Sequence, residues 1–125
     1  MYVQPDAERT TVDVLAPAMR GEATVAVGIP RDWAGESHIQ VDSDGTPEVE
    51  YPARFGSSIR ITAWASNRTE AKRLAAKASA ILHAYEGPVD ARFRITAGVL
   101  VTPDDETGAV LAFCNLRLDQ RGIPA

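Results

Sequence analysis

The sequence predicts an α+β domain: a mixed, mainly antiparallel sheet of about five strands with two helices on one face, in the order α-β-β-β-α-β-β. Three observations lead there. Residues 58–65, 91–101 and 109–118 alternate apolar and polar side chains at strand period, and residues 67–85 repeat apolar side chains at helix period. A chain of 125 residues, 45% hydrophobic, also buries enough surface to fold as one domain without disulfide or metal support.

The elements follow in order. Pro5 and Asp6 read as a helix start, with Asp6 as N-cap and Glu8 in the first turn. Val14, Leu15 and Ala18 share a face, and Pro17 loosens the last turn before Gly21 stops it. Thr24 to Gly28 is a short β-branched strand running into the corner Ile29-Pro30-Arg31-Asp32-Trp33, and Ser37 to Val41 alternates again. The run from Asp42 to Glu48 carries Gly45 and Pro47 and reads as a loop. Ser58 to Ala65 puts Ile59, Ile61 and Ala63 on one face and Arg60, Thr62 and Trp64 on the other.

The clearest helix comes next. Ser66 or Asn67 caps it, Glu70 follows three residues after Asn67, and Ala71, Leu74, Ala75, Ala78, Leu82 and Tyr85 form the buried stripe. Gly87-Pro88 ends it. Ala91 to Val101 then places Phe93, Ile95, Ala97, Val99 and Val101 together, opposite Arg92, Arg94 and Thr96. A turn over residues 103–108 leads into Ala109 to Leu118, completing a long hairpin. No repeat, low-complexity run or linker divides residues 1–125, so the whole chain reads as a single domain.

By parity, the sheet face away from the helices collects Arg60, Trp64, Arg92, Arg94 and Phe113, with Arg117 at its margin. The segments 42–50 and 104–106 are strongly acidic. Such a separation of charge suits copies that meet head to tail, and it equally describes the solvated side of an ordinary sheet. Trp33 and Trp64 are candidate interface anchors beside Arg60, Arg92 and Arg94, because aromatic and Arg side chains dominate interface energetics. For Trp64 the alternative is ordinary packing within the chain.

Composition narrows the function. A net charge of −4 gives no electrostatic footprint for nucleic acid or anionic lipid. The longest stretch without charge, Thr107 to Leu116, has ten residues, about half a membrane span of ~20. The N-terminus has no basic-then-apolar leader pattern, the expectation for a cytosolic product. Cys114 is the single cysteine and alternates inward with Ala112 and Leu116, as a buried inert thiol does. His38 opens a strand, His83 lies near a helix C-terminus where a cation is favoured, and no G-x-S-x-G elbow accompanies them. We therefore expect no enzyme, catalytic residue, cofactor or metal. A calcium loop at Asp42-Ser43-Asp44-Gly45 fails on ligand positions, which fall to Gln40 and Tyr51. Asn67-Arg68-Thr69 matches a glycosylation sequon but is better explained as a helix cap.

The order of segments carries a resemblance. A first helix, a strand into Val27-Gly28-Ile29-Pro30-Arg31-Asp32, Ser58 to Ala65 leading into Glu70-Ala71 and Leu74-Ala75, and the closing hairpin into Leu116-Arg117-Leu118 resemble the tail terminator family of long-tailed phages, those of actinobacteria in particular. The resemblance spans nearly the whole chain and rests on degenerate patterns of fold and length. It implies a virion protein at the junction of tail and neck, assembled in the host cytoplasm. Its hexameric ring would cap the tail tube, stop the major tail protein from polymerising and join the neck or stopper protein. DNA would pass through the lumen without specific binding, repelled by a ring carrying six times the −4 of one chain. Asp104, Asp105 and Glu106 are then candidates for the lumen or the tube-facing surface. Another neck component, a stopper or adaptor, shares these features. A nucleic-acid-binding module using the Arg60, Arg92, Arg94, Trp64 and Phe113 face is the more distant alternative.

Overall fold

The computed structural model describes residues 2–50, 54–87 and 90–124, with only the backbone described for Tyr2, residues 44–48 and Glu50. The elements run β1 (Tyr2–Val3), α1 (Ala7–Ala18), β2 (Thr24–Val27), β3 (His38–Glu50), β4 (Arg54–Ala65), α2 (Arg68–His83), β5 (Ala91–Pro103), β6 (Val110–Arg121) and β7 (Ile123–Pro124). Five strands form the main sheet in the order β2-β3-β4-β6-β5, parallel between β2 and β3 and antiparallel elsewhere. The predicted α+β order holds, with β1 and β7 added as a two-residue antiparallel pair that joins the two ends of the chain.

Helix α1 starts where Asp6 accepts the Arg9 amide at 3.1 Å, and α2 where Asn67 accepts the Glu70 amide at 2.9 Å. Each cap satisfies an amide that the first turn leaves without a partner. The buried stripe of α1 differs from the expected one. Ala7, Thr11, Leu15 and Met19 are buried, while Ala18 is exposed. Thr11 can be buried because its hydroxyl donates back to Ala7 O at 2.8 Å. Pro17 falls in the final turn, and the helix closes one residue later.

Both helices cover the same sheet face. Leu15, Leu74 and Leu82 meet Ile39, Ile59, Ile61, Leu116 and Leu118, all fully buried. Each such side chain contributes about 1.5–3 kcal/mol of transfer free energy. Outside the core, Glu22 accepts from Arg73 Nη1 at 3.0 Å and from Lys77 Nζ, tying the turn after α1 to α2. Those two donors hold the Glu22 carboxyl below its ordinary pKa.

Two sequence expectations need correction. The presumed loop from Asp42 to Glu48 is strand: β3 continues through it, paired with β4, with a register shift between Asp44 and Glu48. Strand β2 covers β3 only as far as Val41, so the rest of β3 is a sheet edge, where a proline and a bulge are tolerated. The alternation of β5 also fails midway. Its register shifts between Ile95 and Ala97 and again between Ala97 and Leu100. Each shift inserts one residue, so Ala97 pairs with Asn115 on the outer face, Val99 is exposed, and Val101 returns inward opposite Ala112.

No helix among the described residues is long and apolar enough to cross a membrane.

Candidate functional site: an acidic, aromatic cleft on the open sheet face

Parallel neighbours cannot be joined by a tight turn, so the chain between β2 and β3 must cross the sheet. The segment from Gly28 to Ser37 does so over the face that the helices leave open. Its ends are pinned by Gly28 N donating to Val41 O and Thr24 N to Ser37 O, both at 3.2 Å. Inside it, Trp33 Nε1 donates to Glu36 O at 2.7 Å and Ala34 N to Glu36 Oε2 at 2.8 Å. The backbone amides of Glu36 itself and of Ala34 hold the Glu36 carboxyl below its ordinary pKa. Asp32 takes a left-handed φ of 49°, a conformation Asp tolerates better than most residues.

The crossing lays Trp33 against Trp64, ring centroids 6.2 Å apart and planes at 45°. Trp64 is 6% exposed, and its indole N–H donates to Gln40 Oε1 at 2.9 Å. Gln40 Nε2 in turn donates to Asp42 Oδ2 at 2.6 Å. The relay fixes the Gln40 amide orientation and ends on a carboxylate. On the next strand Arg60 lies over the Phe113 ring, 5.6 Å from its centroid, and its Nε reaches Asn115 Oδ1 at 3.4 Å.

The β5–β6 turn closes the far wall. Asp104 N donates to Ala109 O at 2.8 Å and Gly108 N to Asp104 O at 2.9 Å, with Gly108 at a φ of 76°. Thr107 Oγ1 bonds the Asp104 carboxylate, fixing it at the rim. Between the crossing loop and this turn lies a cleft of about 760 Å³. Its apolar surface comes from Trp33, Trp64, Leu111 and Phe113, and its charge from Asp32, Asp42, Asp104 and Glu106 against the single Arg60.

The opposite end of the same face is cationic. Register pairing sets Arg94 beside Arg117 and Arg92 beside Asp119. Asp119 accepts from Arg117 Nε at 3.2 Å. Arg92 and Arg94 are exposed and have no ion pair among the described residues.

The structure thus brings Trp33, Arg60, Trp64, Asp104 and Glu106 to one cleft, leaves Asp105 exposed outside its wall, and sets Arg92 and Arg94 at the other end. Trp64 is covered by its own chain and is not an exposed anchor. That covering also removes it from any stacking platform for bases. Asp32, Gln40, Asp42 and Leu111 also line the cleft; the sequence signal for them is a proline-containing corner with a Trp between two strands, but sequence does not reveal parallel pairing.

The remaining reactive groups lie elsewhere. Cys114 is 1% exposed, and burial pushes its thiol pKa up. His83 is exposed at the end of α2. His38 is 7% exposed, shares a 2.7 Å hydrogen bond with Thr24 Oγ1 through Nδ1, and leaves Nε2 without a partner. Burial lowers its pKa, with Glu36 opposing weakly. Among the described residues, no group of three or more His, Cys, Asp or Glu is placed to hold a metal ion.

No protein-family model matches the chain, and a search of curated proteins finds no significant relative.

Proposed function

We propose that the protein is a structural subunit of a long-tailed phage, a tail terminator that closes into a hexameric ring on the end of the tail tube. The ring halts addition of the major tail protein and offers its other surface to the neck. No catalytic step is involved; the work is done by shape and charge. The observation that carries this reading is the polarity of the open sheet face, with carboxylates around an aromatic cleft at one end and arginines at the other. A surface with two unlike, complementary ends favours heterologous contacts, and heterologous contacts that close make rings. The segment order described above supplies the choice of ring. The excess of acid over base gives the lumen a charge that repels DNA phosphates during passage.

Negative-stain microscopy of the purified chain mixed with tail tubes tests the proposal. Rings seated at one end of tubes of fixed length are expected. Tubes that continue to lengthen in its presence refute it.

A further inference from the structure

Cys114 is sealed in the core, and His38 Nε2 and Gln120 Oε1 are buried without a partner among the described residues. The cleft is different, because its walls and its charge together describe an occupant. Its aromatic surface selects an apolar or planar group, and its rim selects a cation. Four carboxylates and the single Arg60 line it, so its lining carries an excess of negative charge. A guanidinium satisfies both demands, stacking on a ring while its N–H groups reach carboxylates.

The chain carries two such groups at the far end of the same face. Strand β5 is the edge of the sheet farthest from the crossing loop. On the open face it presents Arg92 and Arg94, both exposed and without an ion pair among the described residues. Its two register shifts disrupt the regular row of amide and carbonyl groups that another strand would need. Side chains, and not strand addition, are therefore what this edge offers.

We infer that the acidic, aromatic cleft of one copy receives the Arg92–Arg94 end of β5 from the next copy. This rests on the ring-forming reading above and specifies its subunit contact. Donor and acceptor lie on opposite sides of one sheet face, so a single copy cannot satisfy its own cleft and each contact leaves both ends open for another. The charge pairs are at the rim and screened by salt, so the contact is weak in isolation and strengthens when several copies are held on one template.

Sedimentation of the full chain tests the contact with two neutralised variants. Asp104→Asn with Glu106→Gln weakens the acceptor while keeping an oxygen for Thr107. Arg92→Gln with Arg94→Gln removes the donor charges. The wild-type chain is expected to self-associate with concentration, about tenfold more weakly at ~300 mM than at ~50 mM salt. Each variant alone is expected to stay monomeric, and their equimolar mixture to form a 1:1 dimer and nothing larger, since only one productive pairing remains. Either variant associating like the wild type overturns the contact, as does a mixture that stays monomeric or a wild-type chain monomeric at every concentration. Binding of an Arg-rich peptide by a wild-type chain that never self-associates would assign the cleft to a different protein and overturn the second copy as occupant. A chain that passes these tests yet leaves tail tubes uncapped refutes the terminator function alone.

Discussion

Replacing Trp64 by Phe tests whether the cleft is built from the inside as described. The indole N–H donates to Gln40 Oε1 at 2.9 Å, and Gln40 is only 9% exposed, so water has little access to the acceptor left behind. Leaving a buried acceptor unsatisfied costs about 1–3 kcal/mol. The smaller ring also gives up part of its contact with Trp33, from an aromatic pair worth about 0.5–1.5 kcal/mol. Together the expected loss is about 2 kcal/mol. With an unfolding entropy of about 2.1 cal/mol/K per residue over 125 residues, Tm falls by about 8 °C. Urea and thermal unfolding followed by fluorescence suit the measurement, because Trp33 becomes the sole tryptophan. Gln40→Leu removes the acceptor itself, so the double variant should cost at least ~1 kcal/mol less than the sum of the single ones. A Tm within about 2 °C of wild type, or strictly additive losses, would show that the relay carries no stability and sink the reasoning.

Three further outcomes follow from the structure. Burial depresses the folded pKa of His38, so the unfolded chain binds the proton more readily; its contribution is fully present above about pH 6.5 and is lost as pH falls towards the lower folded value. Stability measured from pH 7.5 down to about 5 should slope downward, and His38→Asn should flatten that slope; an unchanged slope assigns the effect elsewhere. The lowered carboxyls of Glu22, Glu36 and Glu70 act in a separate window, below their ordinary 4.5. Cys114 should resist a thiol reagent in the native state and react promptly in denaturant, and rapid native labelling would contradict its burial. Asn67→Ala should cost about 1 kcal/mol in urea unfolding by removing the amide acceptor of α2, while Asn67→Asp should be nearly neutral.

The helix caps, the α2 stripe and the outward parity of Arg60, Arg92 and Arg94 were legible because each depends on neighbours within a few positions. The cleft was not. It requires β2 to pair with β3 in parallel, which carries the Trp33 corner over the open face onto Trp64 of β4, and no local pattern encodes which strand lies beside which. The segment from Asp42 to Glu48 misled for a related reason. Its Gly and Pro carry turn propensity, but the antiparallel partner β4 takes its backbone, and an edge position tolerates both residues. The two extra residues in β5 escaped detection because Ile95, Ala97 and Val99 keep a regular spacing in sequence while the ladder with β6 does not.

The crossing between β2 and β3 separates two tasks in one chain. Its anchors are backbone hydrogen bonds at Gly28 and Ser37, and the helix-covered core lies on the other side of the sheet. Residues between those anchors, apart from Trp33 that covers Trp64, can therefore change in number and kind at little expense to folding, much as an interchangeable fitting on a fixed frame. Grafting a different segment between Gly28 and Ser37 should therefore reshape the cleft while the scaffold stays intact.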